Sequence, residues 1–233
     1  MFSYYYTYGY SGVLYLLLFV VIIFTVYAQF KVNSTYKKYS KIANSRGITG
    51  REMAERILLE NDIHNVSVTC IAGTLTDHFN PQTNQLCLSH NVYHGTSVAA
   101  IGVAAHEAGH AVQHSVQYFP IKLRSTLVPV ANIGNSLAIP IALLGFVFTG
   151  ATLFIDIGIA LYLAVFLFHL VTVPVEIDAS ARAIRAIPTF QMTTQDVKGA
   201  RRVLSAAAMT YLAAMLSSLL QLLRLLNMRG RRD

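Results

Sequence analysis

The chain has 233 residues, of which 54 % are hydrophobic and 12 % charged, about half the charge of an ordinary soluble domain. This composition, with a mean hydropathy of +0.48, excludes intrinsic disorder, a coiled coil and a collagen-like fibre, and two cysteines are too few for a disulfide scaffold. It is that of a small integral membrane protein, with a formal charge of +7 unevenly spread along the chain.

No charged side chain precedes Lys31, and residues 12–30 form an apolar run close to the ~20 residues that span a bilayer. The run lacks a basic leader and is too long for a signal-peptide core, so it is read as a retained anchor. A basic segment follows, with Lys31, Lys37, Lys38, Lys41, Arg46 and Arg51. The positive-inside rule puts it in the cytoplasm and the tyrosine-rich N-terminus outside.

Residues 31–125 have soluble-domain composition. Thr49-Gly50-Arg51-Glu52 is a capping box that opens a helix to about Glu60. Alternation over residues 65–72 predicts a strand, and residues 75–80, a turn at 81–84 and residues 85–89 predict strand, turn, strand. A further helix starts at an N-cap near Thr96 or Ser97 and runs to about His114.

That helix carries His106-Glu107-Ala108-Gly109-His110, an HExxH motif. Positions i and i+4 share a helix face, so both imidazoles can reach one metal at ~2.0–2.1 Å. Glu107, beside the first histidine, is placed to take a proton from an attacking water. Two imidazoles and a carboxylate on a helix otherwise built of Ala, Val, Ile and Gly are costly to bury without a partner.

Between Arg124 and Glu176 the only charged residue is Asp156. The interval holds two spans, about 127–148 and 152–173, joined at Thr149-Gly150-Ala151. Lys122 and Arg124 before this hairpin, and Arg182 and Arg185 after it, place both its ends on the cytoplasmic side. Residues 203–223 have the length of a fourth span, although a crossing would place Arg224, Arg229, Arg231 and Arg232 outside. Crossing is favoured over lying along the cytoplasmic face.

A hydrolytic zinc site needs three protein ligands and one open position. A third histidine ten residues after the first is ruled out by Val116. His114 continues the histidine stripe, but three ligands one turn apart on a straight helix do not converge, so it is read as a supporting or surface residue. The carboxylates after His110 are Asp156, Glu176, Asp178, Asp196 and Asp233. Glu176 and Asp178 follow Pro174 where the third span returns to the side of the HExxH helix, and both are candidates.

Four blocks, AAHEAGHAVQ (104–113), LTDHFNP (75–81), PVEIDASARA (174–183) and VLSAAAMTY (203–211), together resemble the YugP-like neutral zinc metallopeptidase family of bacterial membranes. The likeness covers nearly the whole chain, and it extends distantly to HtpX-type membrane proteases. It implies a gluzincin-like zinc peptidase in which Glu176 supplies the third ligand beside His106 and His110. The aspartate of the HtpX-type E-x-x-A-D block falls on Ser180, which leaves Asp178 as the second choice of ligand. The resemblance also implies Zn2+ as cofactor, and a multi-pass location in the bacterial cytoplasmic membrane with the active site facing the cytoplasm.

The fold expected is mainly α and integral to the membrane, with about four transmembrane or membrane-associated helices and a small cytoplasmic α+β zincin-like part. Its parts are an anchor (1–30), the HExxH region (31–125), a helical hairpin (126–173), a third-ligand helix with a basic segment (174–202), and a C-terminal hydrophobic helix with a basic tail (203–233). Glu107 is the expected catalytic base; Tyr211, Asp178, Arg182, Arg185 and His78 are candidates to stabilise the oxyanion or support the ligands. Partners expected are the lipid bilayer and a polypeptide substrate, with membrane proteins among the candidates, no nucleic acid and no oligomeric state assigned. The residues around 75–89 form either a strand edge for substrate or a covering hairpin. Two rivals come from other classes. A divalent-cation transporter would need ligands along a pathway, whereas the hairpin offers only His169 and Asp156. A scaffold with a structural metal would need a fourth ligand, from His114 or Asp178.

Overall fold

The computed structural model describes residues 2–148 and 152–230. The turn expected at Thr149-Gly150-Ala151 lies outside them, as do Arg231, Arg232 and Asp233. In chain order the elements are α1 (Phe2–Tyr39), α2 (Gly50–Glu60), β1 (Ser67–Ile71), β2 (His78–Asn80), β3 (Gln85–Ser89), α3 (His90–Tyr93), α4 (Val98–Ser115), α5 (Phe119–Val147), α6 (Thr152–Ala186), a 3-10 turn (Ile187–Phe190) and α7 (Thr194–Arg229). The chain divides into two compact units.

The first unit gathers Met1–Tyr27, Leu123–Val173 and Thr210–Asp233. Its helices expose large apolar side chains such as Leu16, Phe19 and Ile23 on α1, Leu143 on α5 and Leu153 on α6. A surface of that kind suits lipid rather than water. Among the described residues, four helices are long and apolar enough to cross a membrane: Gly12–Tyr39, Phe119–Gly145, Leu153–Phe190 and Thr194–Arg229. The protein is mainly α and integral to the membrane. Small residues let α5 and α6 approach closely, as is usual between helices in lipid. Ala131, Ala138 and Ala142 are buried, and a Cβ at Gly158 would lie 2.7 Å from the Ala142 Cβ and 2.8 Å from the Ala138 carbonyl oxygen. Leu14 and Val21 of α1 are buried with Leu220 of α7. Arg229 Nε donates to Asp156 Oδ1 at 2.9 Å, which sets the C-terminal end of α7 beside the N-terminal part of α6.

The second unit comprises Ala28–Lys122 and Pro174–Met209. Its core joins Met53, Ile57 and Leu58 of α2, Leu86 and Leu88 of β3, the alanine-rich length of α4, and Ala183, Ile187, Ala200 and Leu204. The capping box holds in full: Thr49 accepts from the Glu52 amide, and the Glu52 side chain accepts from the Thr49 amide. Ser97 caps α4 by accepting from the Ala100 amide. The sheet has the order β1-β3-β2, with β3 parallel to β1 and antiparallel to β2. The strand expected over 75–80 shrinks to three residues. Gly73 and Leu75 both have positive φ, and Asp77 turns back so that Oδ1 accepts from the Ser89 amide and hydroxyl at 2.7 and 3.0 Å. Burial raises the Asp77 carboxyl above the usual carboxylate range, although the Ser89 donors oppose it.

Candidate metal centre

Helix periodicity stacks His106 and His110 on one face of α4, with ring centroids 4.7 Å apart and planes at 81°. Facing them is Glu176, two residues past Pro174, which stays inside the continuous helix α6. Its carboxylate is buried at 2 % exposure, with Oε2 3.2 Å from His106 Nε2 and 3.5 Å from His110 Nε2. Gly109 makes this proximity feasible, because a Cβ there would stand 2.7 Å from the Ala179 carbonyl oxygen of α6. Glycine at 109 lets the backbones of α4 and α6 approach closely.

The donor atoms of His106, His110 and Glu176 all lie within 4.8 Å of one another, so the three side chains could hold a metal ion. Tetrahedral zinc at its usual bond lengths places its donors about 3.3 Å apart. The two histidine–carboxylate separations match that spacing, and two imidazoles with one carboxylate are a donor set that zinc accepts. Glu107 is buried at 8 % exposure one residue after His106. Burial works against the charged form of His110, but the hydrogen bond to Glu176 and the charges of Glu107 and Glu176 outweigh it and raise its pKa above the ordinary histidine value.

Two further side chains complete the histidine contacts. Gln113, fully buried, meets His110 Nδ1 through Oε1 at 3.0 Å and donates from Nε2 to the Val175 carbonyl at 2.8 Å and to Asp178 Oδ2 at 2.9 Å. Ser180 Oγ lies 3.1 Å from His106 Nδ1. Sequence reasoning gave neither residue a role, although signals were present: Gln113 is three residues after His110 and Ser180 four after Glu176, each on the same helix face as that member of the trio.

The remaining candidates scatter. Asp178 stands apart from the convergent trio and accepts from Arg182 Nε at 2.6 Å. Arg182 also lies over the Tyr118 ring. With the exposed Arg185 it lines a cleft of about 270 Å³ that reaches α4 at Ala105, Gly109 and Val112. His78 is exposed on β2, with Nδ1 2.9 Å from the Thr76 carbonyl. His114 is exposed and meets Phe79 ring edge to face. Asp196 holds the Ser45 hydroxyl and the Thr193 amide and hydroxyl. Tyr211 and Asp156 belong to the first unit.

Residues 14–230 match a family described as "Putative neutral zinc metallopeptidase". The chain is 45 % identical over 199 residues to "Putative membrane protease YugP" of Bacillus subtilis (strain 168), covering 85 % of this chain and 88 % of that relative. No solved structure matches the chain.

Proposed function

Because this chain belongs to the neutral zinc metallopeptidase family, we propose that it is a membrane-embedded endopeptidase of the gluzincin kind, hydrolysing peptide bonds at the cytoplasmic membrane surface. The observation that carries the proposal is the convergence of His106, His110 and Glu176 donors within 4.8 Å, with Glu107 beside them on α4. His106, His110 and Glu176 are the zinc ligands. When bound, zinc supplies a Lewis acid that polarises the scissile carbonyl and brings the pKa of water to about 7. Glu107 takes the proton from the attacking water and returns it to the amine as the C–N bond breaks. At 8 % exposure the carboxylate works with little competing solvent. An extended substrate is accommodated along the open edge of β2, whose Phe79 already meets His114 near the end of α4. The cytoplasmic placement rests on the basic flanks of the spans.

The test is cleavage of unfolded casein by the detergent-purified protein, before and after 1,10-phenanthroline treatment. Cleavage that chelation abolishes and zinc restores is expected. Cleavage indifferent to chelation would contradict the proposal.

A further inference from the structure

Gln113 has no exposed surface, and its contacts leave the amide one orientation. The two hydrogens on Nε2 are matched by two acceptors, the Val175 carbonyl at 2.8 Å and Asp178 Oδ2 at 2.9 Å. Reversing the amide would bring Oε1 against two oxygens with no hydrogen between them. Oε1 is therefore the atom that faces His110 Nδ1 at 3.0 Å. An amide oxygen only accepts, so Nδ1 of His110 must carry a hydrogen. In the neutral imidazole the free lone pair then sits on Nε2, the nitrogen 3.5 Å from Glu176 Oε2.

We infer that Gln113 is a positioning residue of the metal centre, fixing both the tautomer and the ring direction of His110, and that Asp178 acts through Gln113 rather than as a ligand. Asp178 is in turn fixed by Arg182 Nε at 2.6 Å. The relay Arg182–Asp178–Gln113–His110 thus starts on α6, which carries Glu176, and ends on α4, which carries both histidines. Two ligand-bearing helices are tied by a set of hydrogen bonds that also dictates which nitrogen is offered. The partner of His106 does not do this, because the Ser180 hydroxyl at 3.1 Å can donate or accept. Groups that orient a ligating histidine typically hold a factor of roughly 10–100 in metal affinity. The inference rests on His106, His110 and Glu176 being the metal ligands.

The experiment measures zinc affinity by chelator competition, and the visible spectrum of the cobalt(II)-loaded protein, on the full chain in detergent. Gln113→Leu keeps the volume and removes every hydrogen bond, and it is expected to weaken zinc binding by roughly 10–100-fold and to change the cobalt spectrum. Asp178→Ala should shift both readouts the same way but less, while Asp178→Asn, which keeps an oxygen acceptor for Gln113, stays near wild type. Ile101→Val, a core change elsewhere on α4, should lower thermal stability and leave zinc affinity intact. A folded Gln113→Leu protein with wild-type zinc affinity and spectrum would overturn the inference. If Gln113→Leu does not fold, the aspartate pair decides, and equal affinities in Asp178→Ala, Asp178→Asn and wild type would overturn it. A wild-type chain that binds no stoichiometric zinc would instead overturn the metal reading beneath it.

Discussion

Glu176 is a carboxylate buried at 2 % exposure in helix α6, where an unpartnered charge would cost several kcal/mol. Two imidazole nitrogens at 3.2 and 3.5 Å supply its compensation, and a bound cation would supply more. Glu176→Ala is therefore expected to lose stoichiometric zinc, whereas Asp178→Ala retains it at saturating metal. Retention in the first and loss in the second, measured by metal analysis, would reverse the ligand assignment. The raised pKa of His110 adds a pH dependence. Protonated His110 stabilises the metal-free fold below the unfolded value of about 6.5, and that contribution is lost as pH rises through the higher folded value. Zinc must displace this proton, so affinity should fall by about tenfold per pH unit below the folded pKa. A zinc affinity independent of pH between 6 and 8 would contradict it. At this scale the histidines and Glu107 were legible because their geometry is local to one helix. Gln113 was not, because its acceptors Val175 and Asp178 lie 62 and 65 residues away.

At the level of elements, the approach of α4 to α6 decides whether the ligands meet. Gly109→Ala gains about 1 kcal/mol of helix propensity, but its Cβ would stand 2.7 Å from the Ala179 carbonyl oxygen, and overpacking of a fitted interface costs about 1–3 kcal/mol. The variant should be less stable in denaturant titration and weaker in zinc binding. Gly12→Ala, with nothing within 4 Å, serves as its control; equal behaviour of the two would show that the approach has slack. Thr49→Ala removes one half of the capping box and should cost about 1 kcal/mol in the same titration. The helix starts at Thr49 and Ser97 were readable because caps are written in adjacent residues. The hairpin of β2 and β3 was readable from its turn, but the parallel pairing of β1 with β3 was not. Parallel partners leave no turn signal between them. Pro174 lies inside α6, and the helix runs through it to Ala186. A proline within a helix is tolerated where neighbouring helices and polar side chains re-satisfy the backbone.

For the whole molecule, the charge map read from the sequence left the last helix with two arrangements. The ion pair of Arg229 with Asp156 at 2.9 Å favours crossing, because Asp156 is the fifth residue of α6, near the expected outer end of the hairpin. Alkaline phosphatase fused at the C-terminus should accordingly be active outside the cell. An inactive phosphatase fusion beside a fluorescent green fluorescent protein fusion would return that end to the cytoplasm. The most direct measurement of all concerns Glu107. Wild type and Glu107→Gln, purified in detergent with bound zinc quantified in each, are compared in casein cleavage. The expected result is equal zinc content and a loss of cleavage of roughly 10²–10⁴-fold in the variant, the range of general acid–base catalysis. Equal cleavage by both proteins, at equal zinc content, would contradict a peptidase that uses Glu107 as its base.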